Sequence, residues 1–250
     1  CLNLAGRLRV PSQLTTALWT NETLARLQGD WKAAKAYSEQ GLELAPYDSR
    51  LLSSRLLLEY QAGDPAEGKI FLERMLEVMR QEEAGPDLEF ALPAITLPLV
   101  ARFMGGDLDA AREAARTVLS ADSVTPSLAL MARAGLSLAA VERSDPTEAV
   151  EHYEFLYQYR GRMLYGGLGA VDRMLALICV VAGRYDDAVS HFEGARTFCR
   201  KAGYWPELAW TCEDYARFLT RRDRGGDQEM AGTIIDEGLR IVDDLGLTPP

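Results

Sequence analysis

The residue types that most often carry catalysis or bind metals are few in this sequence, and their spacing favours structural roles. The two histidines, His152 and His191, are 39 residues apart, and each precedes an aromatic residue. A metal site needs further ligands, which the sequence does not place beside either histidine at a typical spacing. Acidic pairs such as Asp186-Asp187 lie beside predicted helix ends, where carboxylates are commonly solvated or cap the helix. We therefore predict no catalytic residue, no metal site, no cofactor and no enzymatic activity.

The cysteines and the glycine-rich segment also lack a recognised site motif. The cysteines form no Cys-x-x-Cys pair, and their gaps match neither a zinc site nor a disulfide framework. We expect small buried thiols in a reducing compartment. Gly167-Leu168-Gly169 is half of a dinucleotide-binding fingerprint, but Asp172 stands where the third glycine belongs and no strand precedes it. The cysteines are Cys1, Cys179, Cys199 and Cys212.

Composition and charge argue against several classes of function. The chain has 250 residues, of which 26% are charged, and a formal net charge of -10. Nucleic-acid binding needs a basic face for the phosphates, so this charge disfavours it. No run of about 18 apolar residues predicts a membrane span, and no signal peptide is recognisable. We expect a cytoplasmic protein, and because the sequence starts at Cys1 rather than Met we expect it to be part of a longer one.

Six copies of one short pattern organise the chain. Each copy has Gly or Ser, then Asp or Arg, three variable residues and a small residue, and successive copies are 34 to 43 residues apart. Glycine ends one helix in the left-handed conformation, and aspartate caps the N-terminus of the next. A period of this length is typical of stacked helical hairpins. The copies begin at Gly29, Gly63, Gly106, Ser144, Gly183 and Gly226.

We therefore predict an all-α fold, a solenoid of about six antiparallel helix pairs in residues 12–247 that follows a lead-in at 1–11. The first helices of the pairs are predicted at 14–28, 48–62, 87–104, 127–142, 167–182 and 206–222. The second helices are predicted at 31–45, 65–83, 107–121, 146–160, 185–202 and 228–245. The glycine-rich connection at 161–169 is either a mobile loop or an irregular joint between two sub-arrays.

The pattern resembles the tetratricopeptide repeat (TPR), whose second helix carries a small residue, an aromatic residue and a closing proline. The resemblance implies a right-handed superhelix that binds a protein or peptide on its concave face. Copies three to six are longer than this repeat, and Pro93 and Pro98 fall inside the predicted first helix of the third copy. The best-fitting copies contain Gly29, Asp30, Trp31, Ala34, Gly41, Leu42 and Pro46, and Gly183, Tyr185, Ala188, Phe192 and Ala195.

The run from Ala182 to Leu247 is also similar to the C-terminal helical regions of large bacterial signalling ATPases. The similarity lies in Tyr185-Asp186-Asp187-Ala188 and Tyr215-Ala216-Arg217-Phe218-Leu219. Such proteins include LuxR-type transcription activators of the maltose-regulator kind and nucleotide cyclases fused to an ATPase. The resemblance implies a regulatory segment that senses a ligand or a partner within a signalling or transcription-regulating protein.

Counting back from each turn places arginines and aromatic residues on the predicted concave face. Because arginine offers a planar fork of donors, this face suits an acidic or carboxylate-bearing peptide. The alternative is that these arginines are solvated or paired with neighbouring acids. The predicted partner-binding residues are Trp19, Thr23, Arg26, Arg50, Ser53, Tyr60, Arg133, Arg173 and Arg217. A second cluster, divided between core packing and a contact patch, is predicted at Tyr157, Tyr159, Tyr165, Trp205 and Trp210.

Two functions of different classes fit these observations. A protein-interaction or sensor module predicts an open groove with exposed Trp or Arg side chains. A receptor for a small, sugar-like ligand near Met163 to Gly169 predicts instead a closed polar and aromatic pocket of roughly 300 to 1,000 Å³. The oligomeric state is left open because stacked hairpins can also pair end to end.

Overall fold

The computed structural model describes residues 11–62, 65–105 and 107–246, and helices dominate this part of the chain. In chain order the helices are α1 (Pro11–Gln28), α2 (Trp31–Leu44), α3 (Ser49–Ala62), α4 (Pro65–Gln81), α5 (Leu88–Met104), α6 (Leu108–Leu119), α7 (Pro126–Glu142), α8 (Pro146–Val150), α9 (Tyr153–Tyr157), α10 (Val171–Val181), α11 (Tyr185–Ala202), α12 (Trp205–Arg222) and α13 (Asp227–Leu245). The predicted all-α class is confirmed, since these residues form no strand beyond an isolated bridge between Met163 and Ala170. Among them, no helix has the length and apolar character needed to cross a membrane.

Several turns between helices behave as the repeated pattern predicts, although Arg184 makes no side-chain cap and Gly226 is itself the N-cap of α13. Gly29 and Gly183 have φ of +82° and +71°, in the left-handed region that glycine tolerates without strain. Asp30 then accepts a hydrogen bond from the N–H of Ala33 at 3.0 Å, which caps α2. Asp107 and Asp145 cap α6 and α8 in the same way. Of the predicted features, the turn residues Gly63, Asp64 and Gly106, most of the lead-in and Leu247 lie outside the described residues.

Two predicted helices differ from the observed ones. The predicted helix at 146–160 is divided into α8 and α9, because His152 adopts a non-helical conformation with φ of -107° and ψ of 6°. The predicted helix at 167–182 begins only at Val171, because Gly167 and Gly169 have φ of +67° and +123°. A loop therefore occupies the expected start of this helix.

The prolines of the third hairpin do not interrupt its first helix. α5 continues through Pro93 and Pro98 from Leu88 to Met104. Its residues are buried on several sides, so tertiary packing offsets the lost backbone hydrogen bonds. Gly135 of α7 lies directly against the backbone of α5, since a Cβ built on it would be 2.1 Å from the carbonyl oxygen of Ala94. Glycine at this position lets the two helix backbones touch.

The first helices of the hairpins form a closed cycle of contacts. α1 contacts α3, α3 contacts α5, α5 contacts α7, α7 contacts α10, α10 contacts α12, and α12 contacts α1 again. The seam between the two ends is completed by the indole Nε1–H of Trp31, which donates to the carbonyl oxygen of Leu245 at 2.7 Å. The Leu245 side chain also packs against Gly29, where a Cβ would lie 2.6 Å from it. The first and last hairpins are thus in contact, and we call the space within the six first helices the ring interior.

Candidate functional site

A loop of the chain itself occupies part of the ring interior. This central loop, residues 163–170, is the last part of the connection from α9 to α10 and contains a short 3₁₀ turn, Tyr165–Gly167. Arg26 of α1 donates from Nη2 to the carbonyl oxygen of Gly166 at 2.9 Å and from Nη1 to that of Gly167 at 3.4 Å. From the other side of the seam, Glu207 of α12 accepts the N–H of Ala170 at 2.8 Å. The inner helices therefore hold the loop by hydrogen bonds to its backbone and by burying its Leu164 and Leu168 side chains, which belong to the hydrophobic core.

Arg26 and Glu22 form a buried ion pair beneath the loop. Arg26 Nε lies 3.2 Å from Glu22 Oε1, and the two side chains are 1% and 0% exposed. Glu22 also accepts hydrogen bonds from the hydroxyl groups of Ser54 and Thr23. Burial raises the pKa of Glu22, although the charge of Arg26 opposes this effect. The pair fixes the guanidinium group that binds the loop.

Arg173 forms the second charged centre of the ring interior. Its Nε lies 2.8 Å from Asp214 Oδ2, and its Nη1 lies 3.3 Å from Glu207 Oε2. Burial lowers the pKa of Arg173, but the Asp214 and Glu207 carboxylates raise it by a larger amount. The pKa therefore lies above its ordinary value. Burial in turn raises the pKa of Glu207. Glu207 connects this centre to the central loop through Ala170.

Two aromatic pairs flank these charges. Tyr60 stacks on Trp210 with ring centroids 5.0 Å apart, and Trp19 packs on Tyr165 of the loop at 5.1 Å. Two small cavities beside Tyr60 have volumes of about 30 and 20 Å³. The larger is lined by residues of five first helices, α3, α5, α7, α10 and α12. Each has room for about one water molecule.

The structure brings most of the predicted concave residues to the ring interior, but few of them are accessible. Trp19, Thr23, Arg26 and Ser53 are buried. Arg133 lies elsewhere, because its Nη1 is 3.1 Å from His152 Nδ1 in the second helical segment of its own hairpin. The remaining arginines have acidic partners within the chain, as the alternative interpretation holds: Arg50 pairs with Asp48, Arg173 with Asp214 and Glu207, and Arg217 with Glu213.

The five aromatic residues predicted as a second cluster, divided between core packing and a contact patch, have separate neighbourhoods. Tyr165 packs on Trp19 and Trp210 on Tyr60, both at the ring interior. The members of this cluster lie apart because the break after α8 and the central loop place them on different elements. The other members are Tyr157, which contacts Tyr153 and His191; Tyr159, which contacts Phe155; and Trp205, which is 39% exposed at the start of α12.

The acids of the ring interior were not among the residues predicted from the sequence. Glu22 precedes Arg26 by four residues, a spacing that places opposite charges on one helix face. Glu207 and Asp214 follow Arg173 by 34 and 41 residues, which is about one repeat length. Opposite charges separated by one repeat are the signal that identifies these pairs.

The two histidines and the three described cysteines are buried within the fold. His152 and His191 contact Arg133 and Asp172, each 19 residues earlier, so the two sites repeat. Burial lowers the pKa of His152. Burial also raises the pKa of Cys179 to about 11 and of Cys212 to about 12, which keeps these thiols protonated. Within the described residues, no three His, Cys, Asp or Glu side chains are grouped to hold a metal ion.

No family model, curated protein or solved structure matches the chain. The function must therefore be argued from the geometry of the ring interior. Its two charged centres are buried and internally compensated, and they contact the backbone of a loop rather than an open cleft. Such an arrangement can bind polypeptide backbone.

Proposed function

We propose that this chain is a non-catalytic protein-interaction or sensor module, built as a TPR-like array of helix pairs in a right-handed superhelix. Packing of consecutive hairpins and the repeated His152 and His191 environments support an array. We further propose that it serves as a regulatory segment of a larger bacterial signalling or transcription-regulating protein. The similarity of residues 182–247 to such regions supports this second step.

The observation that carries the proposal is the way the inner helices hold the central loop. Arg26 donates to two successive carbonyl oxygens, and Glu207 accepts a backbone N–H. Both side chains come from helices that line the interior, and both are fixed by a second charged partner. A surface that recognises backbone groups in this way suits a polypeptide partner.

The charges of the interior favour a neutral partner segment over an acidic one. Arg26 and Arg173 are matched by Glu22, Glu207 and Asp214, which together outnumber them. An acidic peptide would meet these carboxylates and would have to displace an internal ion pair to reach either guanidinium group.

At the central loop, where the sequence predicted a pocket, a small-ligand receptor is the weaker alternative. A ligand pocket usually has a volume of roughly 300 to 1,000 Å³. The cavities beside Tyr60 and Trp210 have the expected polar and aromatic lining but volumes of only about 30 and 20 Å³. They are too small for a sugar while the loop is in place.

Site-specific photo-crosslinking tests the proposal. p-Benzoylphenylalanine is placed at Tyr165, which is 44% exposed and packs on Trp19 at the ring interior. The matched control is Tyr47, which is 64% exposed on the turn after α2. A partner bound through the interior should crosslink from position 165 and not from position 47 in cells that express the protein. Equal crosslinking from both positions, or none from position 165, would contradict the proposal.

A further inference from the structure

A groove lies between the second helical segments of the fourth and fifth hairpins. This outer groove is lined by residues within 153–160 and 184–194, together with Asp172 at the start of α10. Its volume is about 440 Å³, whereas the cavities of the ring interior have volumes of about 30 and 20 Å³. Pockets for small ligands usually measure roughly 300 to 1,000 Å³. The outer groove therefore has room for a small molecule.

The floor of the outer groove is a chain of buried polar side chains. Tyr153 Oη lies 2.9 Å from His191 Nε2, and His191 Nδ1 lies 3.1 Å from Asp172 Oδ1. Asp172 also accepts the backbone N–H of Gly161. The three side chains belong to residues that are only 6% to 7% exposed. Gly194 leaves the carboxylate uncovered, since a Cβ there would lie 3.4 Å from Asp172 Oδ1. The floor is thus fixed and polar before any ligand binds.

Two arginines of the outer groove are positioned by tyrosine rings. The guanidinium carbon of Arg184 lies 4.2 Å from the ring centroid of Tyr153, and that of Arg160 lies 4.3 Å from the ring centroid of Tyr157. Stacking on a ring leaves the N–H groups at the guanidinium edge available to a carboxylate. Arg184 uses part of its edge for Asp187 at 2.8 Å. Among the described residues Arg160 pairs with no carboxylate, and it donates only to the Tyr157 carbonyl oxygen at 3.2 Å.

The acids of the same groove determine which charges a ligand can carry. Glu154 is exposed on α9 and pairs with no cation in the part of the chain that the structure describes. Asp187 lies beside Arg184, and Asp172 lies on the floor. A phosphate or another polyanion would be repelled by these carboxylates, and a polyamine would be repelled by the arginines. A ligand with one carboxylate and one ammonium group complements both signs.

We propose that the outer groove binds a zwitterionic ligand of the amino-acid class. Its carboxylate is held by Arg160 and Arg184, and its ammonium group is held by Glu154. The Tyr157 ring, which is 38% exposed, provides an apolar surface for the rest of the ligand. The ligand then bridges the fourth and fifth hairpins. This inference goes beyond the proposed function, because second helical segments form the outer groove and first helices form the ring interior.

Ligand screening of the full chain tests the proposal. Thermal unfolding is measured with each proteinogenic amino acid in turn, since a ligand of the folded state raises the melting temperature. Isothermal titration calorimetry then gives the dissociation constant of the amino acid with the largest shift. Its N-acetyl and carboxamide derivatives each lack one of the two charges. Both derivatives should bind at least about tenfold more weakly, because each loses a charge-assisted hydrogen bond.

Two variants locate the binding in the outer groove. Arg160→Met removes a guanidinium group, and its matched control is Arg240→Met, since Arg240 is also exposed and donates to a backbone carbonyl oxygen of its own helix. Gly194→Leu fills the groove from α11, where leucine favours the helix more than glycine does. Its control is Gly232→Leu in α13, whose Cβ would meet no atom within 4 Å. Each groove variant should bind at least about tenfold more weakly, and each control should bind as the wild type does.

The outcomes decide the proposal. An amino acid that stabilises the chain, with an affinity that falls in both groove variants and in neither control, supports the site. A shift with no amino acid, a shift with inorganic phosphate alone, or equal affinity in the groove variants and the wild type would overturn it. Crosslinking from Tyr165 reports on the ring interior, so failure of the proposed function is distinguishable from failure of this site.

Discussion

Replacement of Arg173 by methionine removes the cation that two buried carboxylates share. Arg173 lies 2.8 Å from Asp214 and 3.3 Å from Glu207, whose side chains are only 2% and 6% exposed. Removing one partner of a buried ion pair costs about 3 to 5 kcal/mol, because the remaining charge is left in a medium of low polarity. Domains are stable by only about 5 to 15 kcal/mol. Arg173→Met should therefore lose a large part of its free energy of unfolding.

Urea unfolding at pH 7, followed by far-UV circular dichroism, measures this loss. The matched control is Arg184→Met, because Arg184 lies 2.8 Å from Asp187 but the two side chains are 41% and 51% exposed. An exposed pair contributes about 1 kcal/mol or less. The triple variant R173M/E207Q/D214N should recover part of the loss, since it leaves no charge without a partner. A loss below about 1 kcal/mol for Arg173→Met, or equal losses for both arginine variants, would refute the reasoning.

Three further predictions concern the packing, the seam and the acid stability. Gly135→Ala should lower the melting temperature by several degrees, at a cost of about 1 to 3 kcal/mol, because its Cβ would fall on the Ala94 carbonyl group; an unchanged melting curve would argue against this contact. Trp31→Phe removes the 2.7 Å bond to Leu245 O and should weaken the seam by about 1 kcal/mol, so amides of α13 should exchange hydrogen roughly fivefold faster. Unaltered exchange there would show that the seam does not depend on this bond. Hydrogen bonding to Arg222 holds the pKa of Asp227 at about 2, below its ordinary 3.8, so its stabilising effect is present above pH 3.8 and is lost as the pH falls through 2. In Asp227→Asn the free energy of unfolding should fall less between pH 3.8 and pH 2 than in the wild type. The same pH dependence in both proteins would contradict the assignment.

The helices were predictable because their start and stop signals are local. Gly29 and Asp30 determine a turn through one positive φ and one cap, and neither depends on residues far along the chain. The break at His152 and the late start of α10 were missed, since apolar periodicity continues through both places. Glycine at 166, 167 and 169 indicated an irregular segment, but its location inside the ring depends on Arg26, which is distant in sequence.

Closure of the ring was not predictable from the pattern. The position of the last hairpin relative to the first depends on the sum of small rotations between neighbours, and each rotation is determined by side-chain volumes at one interface. The same limit applies to the predicted binding residues. Their helices and approximate faces were assigned from the turns, but the acids that neutralise Arg173 lie on the next first helix and could be recognised only at the spacing of one repeat.

The contact between α1 and α12 affects the order in which the molecule unfolds. In an open array a terminal hairpin has one neighbour, so it frays first and unfolding proceeds inward. Here the first and last hairpins each have two neighbours, because Trp31 binds Leu245 across 214 positions of the chain. None of the described hairpins is then a weak end, and opening any one of them breaks two interfaces. The described part of the chain should unfold in a single cooperative step, and its folding rate should be limited by the long-range closure that completes it.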